Sequence, residues 1–221
     1  MLSLAHNNFN QLPAVLLNQS INTLLYLSLA GNDFKFLDVQ MPSINLPNLV
    51  QLDLRRCGLR TVWENFFKFL DSLEYLYLSY NNIMTLHDFS FNIPHLLTLD
   101  LSYNEEQGLV EDLPNRLRIS EFAFAFMKKL QNLDLSHTKL ELKSVTSLTR
   151  LSHSVIGMSL CYTDLTFLGD KFLSNLNKIK FLDVSGNTQF NFTRIIFSDL
   201  SRTLERLDAR DSNVRNLDWT R

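Results

Sequence analysis

Five aspartates recur along this sequence at equivalent positions of a repeating pattern. Of all the residue groups in the sequence, this row of carboxylates has the clearest possible chemical function. Held on one surface, such a row would form an acidic stripe for a cationic ligand. The row comprises Asp53, Asp100, Asp134, Asp183 and Asp208. Serine or tyrosine interrupts it at Ser28, Tyr77 and Ser159. We therefore favour the simpler interpretation, in which these aspartates belong to an ordinary solvated strand surface.

Motifs for catalysis or metal binding are missing from the sequence. It contains no HExxH, no G-x-S-x-G, no CxxC pair and no glycine-rich phosphate loop. Two of the five histidines, His6 and His137, fall on predicted strands five repeats apart, which separates them by roughly 24 Å. They cannot share a metal. We predict a protein that is not an enzyme and that needs no cofactor.

Composition and charge exclude several other classes of protein. The chain has 221 residues, of which 45% are hydrophobic and 20% charged, and its formal net charge is -2 at pH 7. These values exclude a disordered tail and a nucleic-acid binder that works through bulk positive charge. The longest apolar runs fall far short of the roughly 18 residues that a membrane helix needs. We expect membrane attachment only through segments outside this chain.

A frame of about 24 residues repeats from end to end and must position all of these side chains. It reads L-x-x-L-x-L-x-x-N-x-L, as in residues 24–34 and 73–83. Successive copies follow at 23 to 25 residues, except for one interval of 34 residues. The sixth frame position is occupied by Leu4, Leu29, Leu54, Leu78, Leu101, Leu135, Leu160, Val184 and Ala209.

The alternation within each copy predicts the fold. Leucines at every second position give a short strand one buried and one exposed face, and no single copy can bury its own leucines. Stacked copies would pair their strands in parallel and share a continuous core. We predict one domain over residues 1–221, a leucine-rich repeat solenoid of the α/β horseshoe type with about nine repeats. Its strands would line the concave face, and its convex segments would be irregular or short helices.

Two further frame features predict how the repeats are held together. Small polar residues at the ninth position are expected to bind backbone groups where the chain leaves each strand. They are Asn7, Asn32, Cys57, Asn81, Asn104, Thr138, Thr163, Asn187 and Ser212. Phenylalanines of the convex segments are expected to fill the core between repeats. They include Phe66, Phe67, Phe89, Phe91, Phe122, Phe124, Phe126, Phe172 and Phe197.

These features resemble the leucine-rich repeats of animal extracellular proteins, in which repeats of about 24 residues carry a Phe in the convex segment. The sequence looks most like the ectodomains of arthropod Toll-type receptors and like chaoptin-like surface adhesion proteins. The resemblance implies protein recognition outside the cell, by a receptor or an adhesion protein, without catalysis. A cytosolic scaffold or adaptor built on the same repeats is the alternative.

The sequence departs from the regular repeat at its two ends and at one insertion. The chain starts and stops within repeats and lacks cysteine-rich caps, so we expect a fragment of a longer ectodomain whose uncapped ends also allow homo-oligomers. An acidic insertion near residues 105–115 is either a binding loop or a tolerated solvated loop, and we favour the second.

Cys57 and Cys161 lie four repeats apart, roughly 19 Å, which is too far for a disulfide. Sequons at Asn18 and Asn191 are glycosylation candidates.

The six tyrosines give the clearest sign of a binding surface, because all of them fall at outward strand positions of the frame. Tyrosine suits a half-exposed strand, which explains part of this distribution. Four tyrosines share two neighbouring predicted strands beside two arginines, within about 10 Å across the sheet. Tyr and Arg dominate binding hot spots. We predict that a secreted protein ligand, or a surface protein of a neighbouring cell, binds the patch formed by Arg55, Arg56, Tyr75, Tyr77, Tyr80 and Tyr103.

Overall fold

Nine short strands form one parallel sheet, as the repeated frame predicts. The computed structural model describes residues 1–13, 17, 22–34, 45–105, 116–151, 153–168, 175–190 and 202–212. In spatial order the strands are Leu2–Ser3 (β1), Tyr26–Ser28 (β2), Gln51–Asp53 (β3), Tyr75–Tyr77 (β5), Thr98–Asp100 (β7), Asn132–Asp134 (β9), Gly157–Ser159 (β10), Phe181–Asp183 (β11) and Arg206–Asp208 (β12).

The register of this sheet never slips from one repeat to the next. Leu52 at the centre of β3 lies opposite Leu27 on one side and Leu76 on the other, and all three side chains are buried. Every frame position therefore forms a column along the sheet. One face buries the leucines, and the other, concave face presents the third and fifth positions of each repeat. The leucine-rich repeat solenoid predicted from the sequence is confirmed.

A second, smaller sheet is formed by strands that come after the turns at the ends of the first sheet's strands. It pairs Thr61–Val62 (β4), Thr85–Leu86 (β6) and Arg118–Ile119 (β8) in parallel, in that order. In one convex segment, 3₁₀ turns at Leu142–Ser144 and Thr149–Leu151 flank the helical turn Val145–Leu148 (α1). Leu17 and Asn175 are also helical. The short and irregular convex segments agree with the prediction.

Phenylalanines fill the space between repeats, although not all of those predicted do so. Phe67, Phe91 and Phe124 are fully buried and stack in a row, with ring centroids 6.0 and 5.8 Å apart. Phe122 and Phe126 are exposed, which corrects their predicted core role. In a helical turn, residues two positions from a buried residue point to the opposite side. Phe172 and Phe197 lie outside the described residues.

Most of the polar residues at the ninth frame position bind the backbone of the repeat before them, whereas Asn7 and Thr163 bind the backbone of their own repeat. Asn81 donates from Nδ2 to the carbonyl of Leu54, at 2.9 Å, and to that of Leu78 in its own repeat, at 2.8 Å. Its Oδ1 accepts from the backbone N–H groups of Cys57 and Leu59, at 2.8 and 3.1 Å. Side chains that make the same backward bonds are Asn32, Cys57, Asn104, Thr138, Asn187 and Ser212.

The remaining predictions about the scaffold have mixed outcomes. Cys57 is buried, Cys161 is half-buried, and both thiols are free, as expected. Leucines of the end repeats, including Leu2 and Leu207, are only partly buried against the core. Residues 106–115 and the sequon asparagines Asn18 and Asn191 lie outside the described residues. In the described ranges, no helix combines the length and apolar character needed to cross a membrane.

Candidate functional site

The residues predicted as one binding patch occupy two different surfaces. Only Tyr75 and Tyr77 lie on a strand, since β3, β5 and β7 each end at the fifth frame position. The other four lie in the turns after the strands: Arg55, Arg56, Tyr80 and Tyr103. This corrects the prediction that all outward positions belong to strands. The seventh position faces the concave surface, whereas the eighth lies at the lateral edge of the sheet, beyond the strand ends.

On the concave surface, Asp53 fixes Arg55 in one orientation. The guanidinium donates from Nε to Oδ1 and from one terminal nitrogen to Oδ2, at 2.9 and 2.8 Å, and it lies 5.5 Å from the ring centroid of Tyr77. Burial opposes the charge on Asp53, but the hydrogen bonds from Arg55 outweigh burial and hold the pKa of this carboxyl below its ordinary value. Arg55 and Tyr77 are therefore held in place before any partner binds.

Four aspartates of the row line a hollow of about 540 Å³ on the concave surface, beside Tyr77 and Phe181; they are Asp100, Asp134, Asp183 and Asp208. Each central aspartate accepts a hydrogen bond from a backbone N–H two residues later, as Asp134 Oδ1 does from Ser136 at 2.8 Å. The same bond is made by Asp53, Asp100 and Asp183. These carboxylates therefore support the turn, a role that the prediction of a merely solvated surface missed.

Ionisation differs along the row because its ends carry arginines. Hydrogen bonds from Arg210 lower the pKa of Asp208 to about 2, whereas burial raises the pKa of Asp134. Within the described residues, no group of three His, Cys, Asp or Glu side chains could hold a metal ion. The surface carries negative charge at its centre and arginines at both ends.

At the lateral edge, five side chains from the eighth frame position form a continuous stack, which we call the lateral ladder. The guanidinium of Arg56 lies 4.1 Å from the ring centroid of Tyr80. The rings of Tyr80 and Tyr103 follow at 4.5 Å, those of Tyr103 and His137 at 4.3 Å, and those of His137 and Tyr162 at 4.7 Å. Adjacent rings are parallel within 14°. Five consecutive repeats thus share one stack.

An unusual backbone conformation places these side chains at the edge. All five ladder residues have φ between 53° and 57°, in the left-handed region. Gly31 and Gly186 take the same frame position with φ of 70° and 71°, where the absence of a side chain removes the strain. A non-glycine residue there costs about 1–2 kcal/mol. Stacking of an aromatic pair contributes about 0.5–1.5 kcal/mol and so offsets much of that cost.

Sequence reasoning missed two members of the ladder. His137 was considered only as a metal ligand, and Tyr162 was noted as a tyrosine but left out of the patch. A column drawn through the eighth frame position would have found both, since it reads His, Gly, Arg, Tyr, Tyr, His, Tyr, Gly and Asp along the chain. This column of aromatic residues can be recognised only when the eighth position is treated as lying outside the strand.

A smaller hollow of about 310 Å³ lies beside the ladder, lined by Arg56, Tyr80, Tyr103 and Glu105 among others. Lys139 binds the Glu105 carboxylate at 2.7 Å, and this hydrogen bond raises the pKa of Lys139. The charge of Glu105 is therefore balanced by a neighbouring repeat. Arg56 is the cation that remains available at this hollow.

Comparison with known proteins identifies the repeats. A family model described as "Leucine rich repeat" matches residues 47–105. CD180 antigen of Mus musculus is 28% identical over 94% of this chain and 30% of its own length, and Toll-like receptor 3 of Bos taurus is 31% identical over 67% and 17%. Osteomodulin of Bos taurus is 29% identical over 96% of this chain and 52% of its own length. The chain therefore spans about half or less of each of these relatives.

Among solved structures, the chain is similar to the crystal structure of a TLR13–ssRNA13 complex. The alignment covers 95% of this chain and 32% of the TLR13 chain, with a TM-score of 0.64. Its sequence identity is 21%, so the likeness shows the fold. The relatives are extracellular or cell-surface proteins, which agrees with the broader resemblance drawn from the sequence. Those named here include no arthropod Toll receptor and no chaoptin.

Proposed function

We propose that this leucine-rich repeat protein is the recognition segment of an extracellular or cell-surface receptor or adhesion protein, and that it binds a protein through its concave face. The arthropod Toll-type or chaoptin-like identity is part of the same proposal. The observation that carries it is the pairing of Arg55 with Asp53 beside Tyr77, because this pairing holds an arginine and a tyrosine ready on an otherwise open strand surface.

Charge favours a protein partner over a nucleic acid. A single-stranded nucleic acid is a polyanion and would meet the aspartate row at the centre of the concave face. A protein partner can match both the central carboxylates and the arginines at the ends of the row with complementary side chains. RNA is the ligand of TLR13 in that complex. For this chain we propose a protein ligand.

Binding to a panel of cell-displayed extracellular domains tests this function. The full chain, made multivalent by fusion, should bind at least one domain of the panel. Tyr77→Ala should weaken that binding by about 30-fold, corresponding to about 2 kcal/mol. Phe167→Ala is the control, since Phe167 is an exposed aromatic that lies outside the strands and outside the lining of the concave hollow. Equal binding by Tyr77→Ala and wild type would place recognition elsewhere.

A cytosolic scaffold or adaptor built on the same repeats is the second candidate. Cys57 and Cys161 are free but lie too far apart to pair with each other, so they are compatible with either compartment. Glycan analysis of the protein from its native tissue separates the two candidates. Glycans on Asn18 or Asn191 would place the chain in the secretory route, and unmodified asparagines in a cytosolic fraction would favour the scaffold.

A further inference from the structure

We propose that the lateral ladder is a second docking surface and that it binds an extended acidic segment of a partner protein. The surface is distinct from the concave face, because its side chains come from the eighth frame position and lie beyond the strand ends. The proposal therefore stands whether or not the concave face binds a protein.

The stacking decides which chemistry the ladder can offer. Each inner ring has its two faces covered by its neighbours, as Tyr103 has by Tyr80 and His137. Yet Tyr80, Tyr103 and Tyr162 remain 43%, 40% and 49% exposed, so their edges and hydroxyl groups face solvent. Ring edges carry partial positive charge, and phenol O–H groups donate hydrogen bonds. A partner therefore meets a row of donors and positive edges, and nucleobases or sugar rings find no free face for stacking.

Charge at the lateral edge points the same way. Lys139 pairs with Glu105 at 2.7 Å, and Arg116 pairs with Asp164 at 3.1 Å, so these charges are balanced within the edge. No carboxylate in the described ranges pairs with Arg56, whose guanidinium carbon lies 4.1 Å from the centroid of the Tyr80 ring. Arg56 is thus free to bind a carboxylate of the partner with two parallel hydrogen bonds.

The backbone fixes where these side chains lie. The eighth position has a left-handed φ in the five ladder repeats and also outside them, at His6, Gly31, Gly186 and Asp211. The same turn conformation therefore brings the side chains of five successive repeats to one edge.

The dimensions fix the length of the segment that fits. Four steps between five adjacent strands span about 19 Å. An extended polypeptide covers about 3.3 Å per residue, so about six residues would lie along the ladder. A segment of this length with carboxylates at alternate positions would direct three of them toward the row of donors.

A labelled peptide is the probe for this surface. We would measure binding of the full chain to a fluorescein-labelled peptide with six central residues alternating Glu and Ser, by fluorescence anisotropy at low salt. The matched peptide with Lys in place of Glu and a single-stranded poly(U) oligonucleotide are the comparison probes. We expect the Glu peptide to bind, the affinity to fall as salt is added, and both comparison probes to bind at least 10-fold more weakly.

Variants then locate the binding site. Arg56→Gln leaves every ring in place, and Tyr103→Gly interrupts the stack while relieving the strained backbone. Each should weaken binding of the Glu peptide at least 10-fold, and Tyr77→Ala on the concave face should change it less than 2-fold. If Tyr103→Gly fails to fold, binding of the Glu peptide to Arg56→Gln tests the proposal. Unchanged binding by Arg56→Gln, no binding of the Glu peptide, or tighter binding of poly(U) would overturn the proposal.

Discussion

The rings of Tyr80 and Tyr103 lie 4.5 Å apart and within 4° of parallel, although 23 residues separate them in the chain. They meet because each occupies the eighth position of its repeat and each has a left-handed backbone. A backbone hydrogen bond from Tyr80 N–H to the Ser102 carbonyl, at 3.0 Å, joins the same two turns, and the stacking should add its own contribution to stability.

A double-mutant cycle between these tyrosines measures that contribution. Replacing Tyr80 and Tyr103 with Ala, singly and together, should reveal a coupling free energy of about 0.5–1.5 kcal/mol in urea unfolding. The control cycle pairs Tyr103 with Tyr26, which is exposed on β2 outside the ladder, and should give coupling near zero. Additive effects in the first cycle would show that the rings are adjacent without stabilising one another.

Removing one ninth-position asparagine should destabilise the solenoid strongly. Asn81→Ala leaves the backbone N–H groups of Cys57 and Leu59 and the carbonyl of Leu54 without their side-chain partner, whereas the carbonyl of Leu78 keeps its bond from Asn104. We expect the free energy of unfolding to fall by about 3 kcal/mol, because buried unsatisfied polar groups cost about 1–3 kcal/mol each. Asn7→Ala, at the same frame position but exposed, should cost less than about 0.5 kcal/mol. Similar losses for the two variants would contradict the role assigned to Asn81.

Asp53 and Asp134 share a frame position, yet ionisation should affect stability in opposite directions at the two sites. Burial opposes the charge of Asp53, but bonds from Arg55 hold its pKa below the ordinary value. Its charge therefore stabilises the folded chain at neutral pH, and this stability is lost as the pH falls from about 4 through the folded pKa. Burial raises the pKa of Asp134, so its charge destabilises the folded chain at neutral pH and stability is regained on acidification.

Isosteric amide variants test both signs. At pH 7, Asp53→Asn should lower the free energy of unfolding by about 1–3 kcal/mol, and Asp134→Asn should raise it. Both differences from wild type should shrink as the carboxylic acids become protonated. A loss of stability in Asp134→Asn at pH 7 would mean that its bond to Ser136 outweighs the cost of burying the charge.

The two free thiols should react very differently with an alkylating reagent. Burial raises the pKa of Cys57 to about 12, which leaves almost no thiolate in the folded chain. Cys161 is half-buried and accessible, although burial raises its pKa as well. We expect one slow modification per native chain, a second only after unfolding, and none in native Cys161→Ser. Rapid modification of Cys57 in the native chain would contradict its burial.

Sequence reasoning could predict the features that the repeat imposes on every copy. The buried leucines of β3 and β5 and the role of Asn81 follow from period-two alternation and from the need to satisfy backbone groups. The lateral position of Tyr80 does not follow, because a strand three residues long cannot be told from a longer one by alternation alone. Nor does the role of Asp134, since a carboxylate that supports a turn looks the same in sequence as one exposed to solvent.

The ninth-position side chains give the solenoid a direction. Asn81 completes the hydrogen bonds of the repeat that precedes it, and Asn104 and Asn187 reach backward in the same way, whereas Thr163 bonds the Leu160 carbonyl of its own repeat. The ninth-position bonds of a turn are therefore supplied by its C-terminal neighbour, although backbone bonds link each repeat to both of its neighbours. Removing repeats from the C-terminal side strips the last remaining turn of its ninth-position bonds, whereas removal from the N-terminal side leaves those bonds in place for the backbone of the remaining turns. Shortened versions of this chain should accordingly tolerate trimming far better at one end than at the other.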